Sequence, residues 1–416
     1  MATSLSRLGT ANTYDLAMRN LTARQTKLAD LQENLTSGKR VVRPSDDPTG
    51  AAQAERSLTR LARIATDQRA LEAQKNSIAS AESTLGDITS ALQRFRELTV
   101  SAGNGNNTAA ERRTIAVELQ GLREQVLTMA NRKDNNGLPL FAALGSGQVP
   151  FAGPNSPPAD YSFLGLPGQA AASENAIPGT LDGESAFMLQ GRRDGAYNVT
   201  LSQIPTDRTL QTGPVTVVDP TLVNGSSYSI TIDAVSTVAG TTTVTYSVAE
   251  GPPVAGPTQS GLTASFPSNL APSFTITAMP GLSMTVNGLP VAGDAITIDT
   301  SPSIFSVMDD AIRDIGSAVN ANAASQAVAQ ALGNLDIGME RVSAVRGQAG
   351  DLLNRADRIT STQESRSIQL EADRSRAEDL DMIKGIADFQ NQQTGYSAAL
   401  QSYAQVQKLS LFNFIG

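Results

Sequence analysis

Apolar residues recur along the first third of the chain at three- and four-residue intervals, the mark of a helix face rather than of a strand. Leu5, Leu8, Leu21, Leu28, Leu31 and Leu35, with Tyr14, make a narrow stripe flanked by polar residues. The stripe predicts a helix that stops at Gly38, where glycine takes the left-handed conformation at little cost and Lys39 and Arg40 meet the helix's negative end. Pro44 and Pro48 forbid its continuation, while Ser45, Asp46 and Asp47 offer cap oxygens and negative charge to a second helix beginning near Pro48. In that second stretch Ile64, Leu71, Ile78, Leu85 and Leu92 fall every seven residues, with Leu61, Ala81, Ile88 and Phe95 between them. The repeat predicts a coiled-coil-type seam, roughly 80 Å long at about 1.5 Å per residue. Gly103 to Asn107 is turn chemistry, and Ile115, Leu119, Leu122, Val126 and Met129 then form the stripe of a returning antiparallel helix that ends at Asp134-Asn135-Asn136-Gly137.

The pattern changes between about 150 and 303. Short β-prone runs at Tyr197–Leu201, Tyr228–Ile232, Thr241–Val248, Ser273–Thr277 and Ala295–Ile298 stand between Gly and Pro clusters, predicting an inserted all-β domain. Helical spacing resumes after Pro302: Phe305, Ile312, Ile315 and Val319 begin one helix, and Leu335, Met339, Val342, Val345, Leu352, Ile359 and Ile368 mark a second, longer one. A last helix carries Met382, Ile386, Phe389, Gln393, Tyr396, Leu400 and Tyr403, a stripe of the same kind as that of residues 21–35. Two thin stripes at opposite ends are marginal alone and are expected to pack on each other. The predicted architecture is an α+β multidomain chain, with long antiparallel coiled-coil-type helices from both termini forming a rod and a β domain inserted in it. Its expected parts are 1–40 with 380–416, 41–150 with 304–379, and 151–303.

Charge and composition sharpen this division. Residues 151–300 hold 3 Arg, no Lys and 11 acids, leaving 29 basic and 29 acidic residues for the flanks, and 15 of the 20 prolines lie in the same segment. The insert therefore carries the whole net charge of -8, and flanks without net charge suit the packing of many like copies. With no Cys and no His, thiol catalysis, zinc sites and His proton shuttles are excluded. Asp46 with Asp47 and Asp379 with Asp381 read as helix starts and surface charge rather than metal ligands, and no cofactor is expected. Scattered, balanced basic residues and 4% aromatics argue against nucleic-acid binding, and the first nine residues lack the apolar run of a signal peptide or membrane anchor.

Leu21, Leu28, Leu31 and Leu35 at one end, with Met382, Ile386, Phe389, Tyr396, Leu400 and Tyr403 at the other, are the candidate assembly interface. A two-helix hairpin leaves apolar surface that further copies would cover, so these arms are expected to be frayed in the isolated monomer. Gly38, Lys39, Arg40, Arg43, Pro44, Asp46, Asp47 and Pro48 are the candidate joint between the arm and the longer helices.

Ser37-Gly38-Lys39-Arg40-Val41, then Arg43-Pro44-Ser45-Asp46-Asp47-Pro48 and Ala51-Ala52, resembles the signature of the flagellar hook-associated protein 3 family. Glu378-Asp379-Leu380-Asp381, Gln392-Gln393, Tyr396, Ala398-Ala399-Leu400-Gln401, the closing Leu409-Ser410-Leu411-Phe412-Asn413-Phe414 and Gly293-Asp294 are similar to that family too. Ala377 and Met382-Ile383 depart from its pattern. The resemblance covers about the first 150 and last 115 residues. It implies a homo-oligomeric ring between hook-associated protein 1 and flagellin, a cytoplasmic export chaperone bound to the C-terminal helix, and passage through the flagellar type III apparatus to an extracellular place at the hook–filament junction. Flagellin is the near alternative; Pro44 and Pro48 around the acids, and the ending Leu-Phe-Asn-Phe-Ile-Gly, favour the junction family. A coiled-coil surface adhesin would not explain matching stripes at both ends, and an enzyme in the insert would lack His and Cys.

Overall fold

The computed structural model describes residues 3–145, 149–155, 160–203 and 209–415, with side chains described from Tyr14 to Gln405. Among the described residues eight helices run α1 (Thr3–Ser37), α2 (Pro48–Ala102), α3 (Ala109–Ala130), α4 (Gly183–Phe187), α5 (Gly191–Asp194), α6 (Ile304–Ser317), α7 (Ala321–Glu378) and α8 (Met382–Ile415). The strands are β1 (Phe151–Ala152), β2 (Ser162–Phe163), β3 (Tyr197–Ser202), β4 (Gln211–Thr212), β5 (Thr216–Val217), β6 (Tyr228–Val238), β7 (Thr241–Glu250), β8 (Gln259–Pro267), β9 (Ser273–Met279), β10 (Leu282–Asn287) and β11 (Ala295–Thr300). Two compact units result, residues 1–69 with 360–416 and residues 70–359, so that α2 and α7 each contribute to both.

In the larger unit α2, α3, α6 and α7 share one core. Leu71, Ile78, Leu85, Leu92 and Phe95 supply the α2 seam, facing Leu119 and Val126 of α3, Phe305 and Ile315 of α6, and Leu335, Val342 and Val345 of α7. Ion pairs Lys75–Asp357 (2.7 Å), Glu82–Arg346 (2.8 Å) and Arg96–Asp336 (2.9 Å) line the edges of the α2–α7 seam. Thr108 and Glu111 form a reciprocal capping box that starts α3. Four positions in the expected stripes of α2, α6 and α7 fall outside the core, among them the half-buried Leu61 and Ile64 of α2. Val319 lies past the end of α6 and is exposed, and Ile368 is 72% exposed on α7.

The insert has two parts. Residues up to about 189 pack into the helical core rather than into a sheet: the rings of Phe141, Phe151, Tyr161, Phe187 and Phe305 lie with centroids 5.2 to 5.7 Å apart. Beyond them stand two antiparallel sheets, one ordered β3-β11-β6-β7-β8 and one with β10 between β4 and β5 on one edge and β9 on the other. They bury a common core of Tyr228, Ile230, Val244, Ile276, Met284, Val286 and Ile296. The five runs expected as strands are all strands; β8, β10 and the two-residue β1, β2, β4 and β5 are six more that the pattern reading missed. β10 alternates buried and open positions between Gly281 and Gly288, and β8 alternates from Gly261 to Pro267, turning Leu262, Ala264 and Phe266 to the core. The insert leaves and rejoins the helices at one place, since Ser301 N–H donates to Ala196 O at 3.0 Å.

Candidate assembly surface and its joint

Both sets of candidate residues belong to the smaller unit. Gly38 ends α1 with φ +70°, and the chain then pairs with the turn between α7 and α8. Arg40 N–H donates to Glu378 O at 2.7 Å, and Leu380 N–H donates to Gly38 O at 2.9 Å. Two side chains reinforce this short ladder: Lys39 pairs with Glu378, and Arg40 Nη2 donates to Ala377 O at 2.8 Å. Glu378 is further held by Arg374 at 3.3 Å.

The two aspartates divide their work. Asp46 closes a turn, its carboxylate accepting from Arg43 N–H at 2.8 Å. Asp47 caps α2, accepting from Gly50 N–H at 2.9 Å and from the Thr49 hydroxyl at 2.7 Å, and pairs with Arg40 at 3.1 Å. Those bonds to its charged form, the Gly50 N–H first, hold its pKa down to about 2. Pro48 opens α2 at a position whose N–H has no helical partner to lose. Asp381 does for α8 what Asp47 does for α2, accepting from Ile383 and Lys384 N–H, both at 3.1 Å. Arg43 reaches back to Glu33 of α1 at 3.0 Å, and Pro44 lies exposed beside it.

Helices α1 and α8 pair antiparallel. The Tyr14 and Tyr403 rings lie 5.6 Å apart, and Arg24 donates to Gln392 at 3.3 Å. At Gly385 the helices come so close that an added Cβ would meet Leu380 Cδ2 at 2.8 Å and Leu35 Cδ2 at 3.2 Å. Leu21, Leu28, Leu31 and Leu35 are half-buried against the partner helix, as are Phe389, Tyr396 and Tyr403. Met382, Ile386 and Leu400 stay exposed, joined by Leu16 and Met18 of α1 and by Ile383 at 85% exposure. Among the described residues of α1 no side chain is fully buried. Leu5, Leu8 and the closing run from Leu409 lie outside the described side chains.

Sequence spacing missed the other half of the joint, since Ala377 and Glu378 bond Arg40 and Lys39 across more than 300 residues of chain. It also missed Ile383, although an apolar residue out of phase with its own stripe was a visible signal.

Residues 9–145 match the bacterial flagellin N-terminal helical region. The N-terminal third of the chain is therefore similar to the helical region of flagellins. It is 37% identical over 154 residues to flagellar hook-associated protein 3 of Salmonella typhimurium, a stretch covering 35% of this chain and 46% of that one. The chain thus spans about half the length of that relative. A flagellin of Salmonella berta is 26% identical over 330 residues, covering 70% of this chain and 64% of its own. The crystal structure of the flagellar junction protein FlgL from Legionella pneumophila has the same fold, with a TM-score of 0.59 and 24% identity, covering 73% of this chain and 99% of that one. Long helices from both termini with an inserted β domain are therefore the architecture of both.

Proposed function

We propose that this chain is a structural subunit of the bacterial flagellum that forms the junction between hook and filament. Its likeness to flagellar hook-associated protein 3, at 37% identity, carries the reading. The α1–α8 pair supplies a physical mechanism. Its described apolar side chains are half-buried at best, so packing among neighbouring copies completes a core that one copy leaves unfinished and offsets the ordering entropy of the arms. Leu21, Leu28, Leu31, Leu35, Phe389, Tyr396 and Tyr403 hold the pair together, and Met382, Ile386 and Leu400 face the neighbours. The joint at residues 38–48 fixes where α1 and α8 leave the longer helices.

On this reading copies form a ring with hook-associated protein 1 on one side and flagellin on the other. Thin arms pass through the type III export channel, with α8 held by a chaperone beforehand, and fold outside the cell. The role is structural and includes no enzymatic step.

Deleting the chain tests this directly. Cells without it are expected to carry bare hooks and to shed flagellin into the medium, with filaments restored when the chain is supplied. Polymerisation of the purified chain alone into long filaments would overturn the reading in favour of flagellin.

A further inference from the structure

The joint bears an apolar groove, and the first turn of α8 bears an apolar knob that does not fill it. The groove, of 480 Å³, is walled by Val41, Val42, Pro44, Pro48, Ala52 and Leu58. At about 30 Å³ per water it has room for more than one aliphatic side chain. Leu58 is 43% exposed on its wall. The knob is Ile383, 85% exposed, flanked by Met382 at 45% and Ile386 at 46%. Ile383 does not line the groove of its own chain.

Charge matches shape. Glu55 also lines the groove, and Lys384 directly follows the knob. Neither side chain makes a hydrogen bond or ion pair among the described residues, although other charges of the joint, Lys39, Arg40, Arg43, Asp47 and Glu378, are paired.

We propose that Ile383 of one copy seats in the joint groove of a second copy, against Leu58, with Lys384 meeting Glu55. The inference rests on the assembly reading above and names the contact that builds it. Knob and groove are different patches, so the contact is head-to-tail, and its repetition closes a ring or winds a helix.

The chain has no Cys, which makes disulfide trapping unambiguous. Leu58→Cys and Ile383→Cys chains, expressed together in a strain deleted for the native copy, are expected to give disulfide dimers in oxidised hook–filament preparations. Either variant alone is expected to give none. Filaments that attach normally without dimers in the mixture would overturn the contact while leaving the junction role intact. Dimers from one variant alone would mean like patches meet, and would overturn it as well. Bare hooks even with the unaltered chain supplied would overturn both the contact and the junction role. As a second arm, Glu55→Lys and Lys384→Glu are each expected to lower the fraction of filament-bearing cells several-fold, with the double exchange restoring it. Failure of the double exchange to restore attachment, with the monomer's helical circular dichroism unchanged, would count against the pairing.

Discussion

Single carboxylates set two opposite responses to pH. Asp47 has a folded pKa of about 2 against an ordinary 3.8, because the Gly50 N–H, Thr49 and Arg40 bond its charged form. A depressed acid stabilises the fold fully above the ordinary value, and the contribution disappears as pH falls through the folded one. Hydrogen exchange at Thr49 to Ala51 is therefore expected to accelerate between pH 3.8 and 2, and Asp47→Ala should exchange fast throughout that window. Asp310 in α6 is pushed up to about 6, chiefly by burial and against the pull of Arg313 at 2.7 Å. Here the folded state binds the proton more tightly, so stability falls as pH rises from 3.8 to about 6 and stays lowered above it. Asp310→Asn is expected to raise the neutral-pH stability of the larger unit by on the order of 1–3 kcal/mol. A thermal melt at pH 7 that is unchanged or lower would refute this.

At the scale of elements, the same leucine-rich helices behave differently according to what covers them. Leu85 is fully buried between α2 and its neighbours, so Leu85→Ala should cost about 2–5 kcal/mol by the transfer and cavity terms. Leu28 is only half-buried in the α1–α8 pair, and Leu28→Ala should scarcely move the melt of the monomer yet impair filament attachment. Chemical denaturation of both variants, read beside electron microscopy of cells carrying them, checks the contrast. Equal losses of monomer stability would show that the arms are already a finished core. Hydrogen exchange makes the same distinction without mutation: residues 14–36 and 382–405 are expected to exchange fast in the monomer and to gain protection on assembly.

For the whole molecule, the insert is separable from the helical core by its own geometry. β3 and β11 run side by side to the point where Ser301 bonds Ala196, and the sheets bury a core of their own. The bonds from α7 to the sheets come from Gln326, Gln330 and Asn334, to Thr212, Val199 N–H and Tyr197 O. Replacing residues 197–300 by a short turn is expected to leave the helical core folded and filament attachment intact. Loss of attachment by a chain whose helical melt is unchanged would assign the sheets a part in the junction. Cutting at 151 instead should unfold the larger unit, because Phe151, Tyr161 and Phe187 belong to the helical core.

Local chemistry made much of this legible from the sequence. Helix starts and stops follow from Gly38, Pro48 and Asp381, whose backbone freedom or cap oxygens act within a few residues. The heptad seam of α2 and the strands with period-two alternation were readable for the same reason, since the side-chain period of an element is fixed by its backbone. What depends on partners distant in the chain was not readable. Spacing could not say that Ala377 and Glu378 complete the joint, that residues 151–189 fill the helical core, or that Ile368 and Val319 face solvent. Nor could it separate the half of the α1–α8 stripe used within one copy from the half left open. Those were decided by tertiary packing, because burial is a property of what comes to lie against a side chain, and a periodic stripe specifies only which way the side chain points.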